Sequence, residues 1–187
     1  KAMLELALKH NGPSAIRYPR GKVSQQSSAL GGAGGSSLHP PQAESAFDIG
    51  KAEILKEGSD MALIAIGNVV HPALGAAERL EKDGIKASVI NARFIKPLDK
   101  ELISSMAKNI KRIITIEENM IAGGFGSAVL EYLNSMDIPD IKIKILGIPD
   151  EFVEQGSQAI LRKKYGIDEE GIYQNCKAFL STLASVR

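Results

Sequence analysis

Cysteine is nearly missing from this 187-residue chain: Cys176 stands alone, so no internal disulfide can form. His10, His39 and His71 are the three histidines, scattered without the spacing of a metal-ligand cluster. Tryptophan is absent, and no apolar run approaches the ~20 residues that a spanning helix needs. Charge of one sign is also lacking. The net charge is +1 with acids and bases interspersed, which leaves no stripe to attract nucleic acid or anionic lipid. These absences predict a reducing, cytoplasm-like compartment, no nucleic-acid partner and no membrane span. What is present is 44% hydrophobic residues, enough for a sizeable core in one domain plus a remainder.

The most informative stretch is residues 112–130, RIITIEENMIAGGFGSAVL. Ile113, Ile114 and Ile116 form a β-branched run suited to a strand buried on both faces of a parallel sheet. Glu117, Glu118 and Asn119 are expected to end it. Gly123, Gly124 and Gly126 then free the backbone, and Ala128, Val129, Tyr132, Leu133 and Met136 repeat at helical spacing. A Gly-rich turn between strand and helix can cradle a phosphate on the helix N-terminus. The dinucleotide pattern is incomplete here, because the position of the third glycine holds Val129 and no P-loop lysine follows. Glu117 and Glu118 would also repel a diphosphate. The turn therefore reads as one that packs a helix on a sheet.

The chain starts inside an apolar helical pattern, Met3, Leu4, Ala7 and Leu8, which Asn11-Gly12-Pro13 stops. Residues 15–18 (AIRY) read as a last strand, with Pro19-Arg20-Gly21 just beyond its end. Residues 1–22 are thus expected to be the tail of an upstream domain. By position alone Arg20 is a loop arginine, although that rim of an α/β sheet is where anionic ligands bind. Residues 23–48 are crowded with Ser, Gly, Gln and Pro and read as a flexible linker or insertion, leaving His39 without a chemical role.

Regular alternation begins at residue 49. A half-buried strand is predicted over 51–55, a central strand over 61–66, a helix opened by Pro72 and closed by Gly84, and a strand over 87–91. His71 reads as a capping residue rather than a base. A helix from near Asp99 turns Leu102, Ile103, Met106 and Ile110 inward. Residues 141–146 (IKIKIL) alternate as an edge strand, and two helices follow, from about Ser157 and Asp168. Ile172, Cys176, Phe179, Leu180 and Leu183 share one face of the last, so Cys176 belongs to a core and is no nucleophile. Strands separated by helices imply an α/β fold: a three-layer α/β/α domain over 49–187 around a mostly parallel mixed sheet of about five strands.

Several motifs exceed what such a fold requires: RYPRG at 17–21, IGKAEILKEGSDMALIAIGN at 49–68, NARFIKPLD at 91–99, EENMIAGGFGSAV at 117–129, LGIPDEFVEQGSQ at 146–158 and KKYGIDEEGI at 163–172. In order and spacing they resemble the C-terminal portion of the 1-deoxy-D-xylulose-5-phosphate synthase family, thiamin-diphosphate enzymes of the transketolase superfamily. The resemblance implies that residues 1–22 end a pyrimidine-binding middle domain and that the rest, past the linker, is a transketolase-type C-terminal domain. It further implies a cytoplasmic homodimer that condenses pyruvate with D-glyceraldehyde 3-phosphate, releasing CO₂, with thiamin diphosphate and Mg²⁺ bound by the full-length enzyme. Arg20, the arginine of YPRG, would contact the substrate phosphate. The family binds the cofactor diphosphate and Mg²⁺ through a GDG motif, which this chain does not contain. Glu117 and Glu118 match the EEN motif, not the glutamate that activates the cofactor. No catalytic, cofactor or metal residue is therefore expected here, and the chain alone is expected to be inactive and dimerising. Rival readings are the β subunit of a 2-oxo-acid dehydrogenase and a stand-alone flavodoxin-like binding module using the Gly123–Gly126 turn.

Overall fold

The computed structural model describes residues 2–18 and 48–184. The chain divides into two units, Lys1–Ile49 and Gly50–Arg187. In the first, α1 (Ala2–Lys9) leaves Leu4 and Leu8 exposed and stops where the sequence predicts. Residues 15–18 do not form the predicted strand. A strand exists only through a ladder partner, and among the described residues this segment has none and is exposed along its length. The linker region and Arg20 lie outside the described residues.

The second unit is built on a five-stranded sheet of β1 (Glu53–Lys56), β2 (Met61–Ala65), β3 (Ala87–Asn91), β4 (Arg112–Met120) and β5 (Lys142–Ile148). Their order is β1-β3-β2-β4-β5, parallel except for the short edge strand β1. Between the strands run α2 (Val70–Lys82), α3 (Lys100–Asn109) and α4 (Phe125–Asn134), and after β5 come α5 (Gln158–Lys164) and α6 (Glu169–Ala184). β2 shows why a continuous apolar run marks the centre of such a sheet. Met61, Leu63 and Ala65 enter a core with Ala73, Ala77 and Leu80 of α2 and Ile172 and Cys176 of α6. Ala62 and Ile64, pointing oppositely, join Ile103 of α3 and Phe125, Val129 and Leu133 of α4. The sheet is thus the middle of three layers, as expected.

The ends of the elements follow their local chemistry. Asp99 caps α3 by accepting the N–H of Leu102 at 3.1 Å. Gly84, at φ 81°, closes α2 in a Schellman arrangement, its N–H bonding Glu81 O at 2.9 Å while Ile85 N–H bonds Leu80 O at 2.9 Å. The start of α2 differs from expectation. A 3₁₀ turn over Gly67–Val69 leads into the helix, so His71 is its second residue and Val69 occupies the cap position without a side-chain bond. β1 also sits about two residues later than predicted, with a register shift between Ile54 and Lys56. Cys176 is buried in the core, and burial pushes its thiol up to about 12, which removes it as a nucleophile at neutral pH.

Candidate functional site

In an open α/β sheet the place to look for a ligand is the carboxyl edge at the topological switch point, where successive crossovers leave in opposite directions. Here β2 connects toward β3 on one side and β4 toward β5 on the other, so the switch lies between β2 and β4. The Gly-rich turn and the N-terminus of α4 follow β4 at this edge, where Gly126 packs against Thr115 of β4 and Ile145 of β5.

That position is filled by the chain itself. β4 does not stop at the carboxylates as expected; it runs through them to Met120, with a register shift between Ile116 and Met120. Glu117 is thereby carried under α4 and is fully buried. Its carboxylate accepts the N–H of Phe125 and of Gly126, each at 2.8 Å. Two orphan donors of a helix start and the positive end of its dipole therefore face an internal carboxylate rather than a phosphate. Gly124 is required because a Cβ there would strike the carbonyl oxygen of Met120 and lie 2.5 Å from Glu117 Oε2. Gly123 is required for a different reason, its φ of 71°. Ser127 completes the turn, donating to Ile121 O at 2.6 Å and accepting from Gly123 N–H at 3.1 Å. Glu118 faces away and pairs with Arg162 of α5, Nε to Oε1, at 2.6 Å.

The neighbouring rim holds one residue that sequence reasoning passed over. Arg93, just beyond β3, has a left-handed backbone at φ 56°, and its guanidinium meets Glu53 Oε2 at 2.5 Å. A non-glycine residue held in that region marks a position over-determined by its surroundings. The only signal in the sequence was its place inside NARFIKPLD, because a positive φ leaves no trace in composition. Arg20, the predicted substrate contact, lies outside the described residues.

The described residues do not fit thiamin diphosphate or its Mg²⁺. The one helix start below a Gly-rich turn is occupied by Glu117, and among the described residues no group of His, Cys, Asp and Glu could hold a metal ion. A small, mostly apolar pocket of about 10 Å³ between the sheet and α3 has no room for a ligand. A wider depression of about 490 Å³ is an open surface groove along α3 and α4, beside Lys100, Ser104, Lys108 and Tyr132. The carboxylate plug also removes the feature on which the flavodoxin-like reading depends.

Residues 50–172 match the family described as "Transketolase, C-terminal domain". Among curated proteins, the chain is 47% identical over 178 residues to 1-deoxy-D-xylulose-5-phosphate synthase 1 of Geobacter metallireducens, covering 95% of this chain and 27% of that protein. It is 51% identical over 170 residues to the 1-deoxy-D-xylulose-5-phosphate synthase of Desulfotalea psychrophila, covering 91% and 25%. The chain thus spans about a quarter of the length of the curated relatives it matches. Among solved structures, a split-gene transketolase described as an inactive β4 tetramer aligns with TM-score 0.66 and 37% identity, over 72% of this chain and 44% of that one. A Campylobacter jejuni transketolase, at 19% identity and TM-score 0.52 over 69% of this chain and 18% of that one, shares the fold. The three-layer sheet, the unbroken EEN-to-GGFG turn and the match over residues 50–172 lead to one conclusion: the chain belongs to the transketolase C-terminal domain family.

Proposed function

We propose that this chain is the C-terminal part of a 1-deoxy-D-xylulose-5-phosphate synthase, a thiamin-diphosphate-dependent transferase that condenses pyruvate with D-glyceraldehyde 3-phosphate and releases CO₂. The observation that carries this reading is identity of 47% to 51% to synthases over more than nine-tenths of the chain. Residues 1–22 would end the middle domain, residues 23–48 connect, and residues 49–187 form the C-terminal domain. The division of the chain at Ile49 supports this reading.

Thiamin diphosphate and Mg²⁺ belong to the whole protein in this reading and are held outside the domain, where the N–H pair at the start of α4 is taken by Glu117. The domain's own part is assembly. The split-gene transketolase relative, described as a tetramer of one chain type and inactive, supports both self-association and the need for further domains before chemistry can occur. The whole enzyme is proposed to be a cytoplasmic homodimer. Among the described residues, no helix is long and apolar enough to cross a membrane. Arg20 is proposed to bind the phosphate of the aldehyde substrate through charge-assisted hydrogen bonds.

The test is an assay of the full-length protein that carries this sequence. CO₂ release from pyruvate that depends on D-glyceraldehyde 3-phosphate supports a synthase. Release that depends instead on a lipoyl acceptor would favour the 2-oxo-acid dehydrogenase β subunit and overturn the reading.

A further inference from the structure

Asn11-Gly12 is the one asparagine–glycine pair in the chain, and its place in the fold leaves both residues open. α1 ends at Lys9, where His10 N–H still reaches Leu6 O at 3.0 Å, and the backbone then bends through Asn11 and Gly12. Residues 11–18 are exposed throughout, and no hydrogen bond from another described residue holds the Asn11 amide. One bond remains at the bend, from Gly12 N–H to His10 O at 3.1 Å. Water replaces a single exposed bond of this kind at little net cost.

The chemistry of the pair follows from that freedom. When Gly12 N gives its proton to solvent and attacks Cγ of Asn11, an N–Cγ bond forms, the Cγ–Nδ2 bond breaks and ammonia leaves, closing a five-membered succinimide. Water then opens the ring. Attack at Cγ yields aspartate, and attack at the main-chain carbonyl of Asn11 yields isoaspartate, with no oxidant and no reactant besides water. Closure needs the nitrogen and Cγ within attacking distance, which a free backbone reaches and a bonded helical one does not; glycine adds no Cβ to obstruct it.

The two pairs nearest to it in chemistry are held shut. Asp83-Gly84 would close the same ring with loss of water, but the Asp83 carboxylate is bonded by the Tyr173 hydroxyl and the Lys177 ammonium, and Gly84 N–H is bonded to Glu81 O at 2.9 Å. In Asn134-Ser135 the attacking nitrogen is turned into the end of α4, bonded to Glu131 O at 3.2 Å and Tyr132 O at 3.1 Å. Either ring requires local unfolding of a helix end, whereas the ring at Asn11 does not.

We propose that Asn11 is a site of spontaneous deamidation through a succinimide with Gly12, and that the fold confines this modification to it. The product puts a carboxylate in place of the amide, and its isoaspartyl form lengthens the main chain by one methylene nine residues ahead of Arg20. The inference does not depend on the activity proposed above.

The experiment is incubation of the 187-residue chain at mildly alkaline pH, followed by mass-spectrometric peptide mapping for amide loss and by enzymatic methylation of isoaspartyl carboxylates. Asn11 is expected to react at least about tenfold faster than Asn134 or Asp83. Gly12→Val tests the route. Gly12 has no left-handed backbone, and a Cβ there would lie 3.1 Å from His10 Nε2, the end of an exposed side chain that moves aside, so valine fits. Its branched Cβ should slow the loss of ammonia at least about tenfold, and less slowing would mean direct hydrolysis and overturn the succinimide. In urea, Asn134 and Asp83 should accelerate toward Asn11, whose own rate should change by less than about threefold because its bend is already open. A smaller advantage of Asn11 in the native chain, or a larger acceleration on unfolding, overturns the proposal.

Discussion

Glu117 occupies the position that an anionic ligand would need, and its carboxylate is spent on structure. It is fully buried and satisfies two backbone donors at 2.8 Å, so removing it leaves those donors without partners inside the core. An unsatisfied buried group costs about 1 to 3 kcal/mol, and bonds to a charged acceptor lie at the upper end. Glu117→Gln retains one acceptor oxygen but turns an amide NH₂ toward the second donor. It should lower the unfolding free energy by about 2 to 3 kcal/mol, and Glu117→Ala by more. Urea unfolding of the two variants measures this, and a loss below about 0.5 kcal/mol, the size of an ordinary surface change, would show that the carboxylate is not what holds the turn. Arg20 calls for the opposite kind of test, in the complete enzyme and on kinetics. A guanidinium on a phosphate dianion is worth about 1.5 to 3 kcal/mol per bond. Arg20→Ala should therefore lower kcat/KM for D-glyceraldehyde 3-phosphate by roughly ten- to several-hundred-fold while the KM for pyruvate moves only a few-fold. Arg20→Lys should recover part, since the charge remains and the planar fork is lost. Equal impairment with unphosphorylated glyceraldehyde would assign Arg20 to holding its loop instead.

At the scale of elements, α6 is fastened over α2 by one side-chain cluster as well as by the core. Tyr173 lies under the Arg79 guanidinium at 4.2 Å and beside the Lys177 ammonium at 5.2 Å, while its hydroxyl donates to Asp83 Oδ2 at 2.5 Å. Lys177 reaches the same carboxylate at 2.9 Å. The Tyr173 hydroxyl and then the Lys177 ammonium hold the Asp83 carboxyl below its ordinary range. A carboxyl lowered in the folded state binds its proton more readily when unfolded. Its stabilising contribution is therefore complete above the unfolded value, near 3.9, and is lost as pH falls through the lower folded value. Asp83→Asn should unfold at a lower temperature than the parent at pH 7, and the gap should close at an acid pH below the lowered folded value. Thermal unfolding monitored by circular dichroism at both pH values checks this; a gap that persists in acid would mean that packing, not ionisation, is what Asp83 supplies. Such a cluster joins residues some ninety positions apart and has no signature in local sequence.

For the whole molecule, the legible features were those that repeat along the chain. The apolar run of β2, the alternation of β5, Asp99 as a cap and Gly84 as a stop were each readable because a local period or a single residue type carries them. What escaped depended on where separate segments meet. Glu117 looked like the end of a strand because an acid ordinarily avoids burial, and only the donors of Phe125 and Gly126 make it a core residue. The backbone of Arg93 and the opening of α2 by a 3₁₀ turn ahead of His71 are equally silent in sequence. The filled cradle has a consequence for activity. A diphosphate needs cationic or N–H donors gathered at one place, commonly with a divalent cation held by carboxylates. Among the described residues the gathered N–H pair is already bonded to Glu117, and no acidic or histidine cluster could hold the metal. Without the cofactor no side chain here can supply the electron sink on which decarboxylation of pyruvate depends. The purified 187-residue chain, given pyruvate, D-glyceraldehyde 3-phosphate, thiamin diphosphate and Mg²⁺, should therefore show no turnover above the uncatalysed rate. Thiamin diphosphate with Mg²⁺ should also leave its thermal midpoint unmoved, since a ligand that does not bind the native state cannot stabilise it. CO₂ release that scales with the concentration of the chain, together with a midpoint raised by the cofactor, would place a working thiamin site within these 187 residues and refute the assignment of this chain to assembly alone.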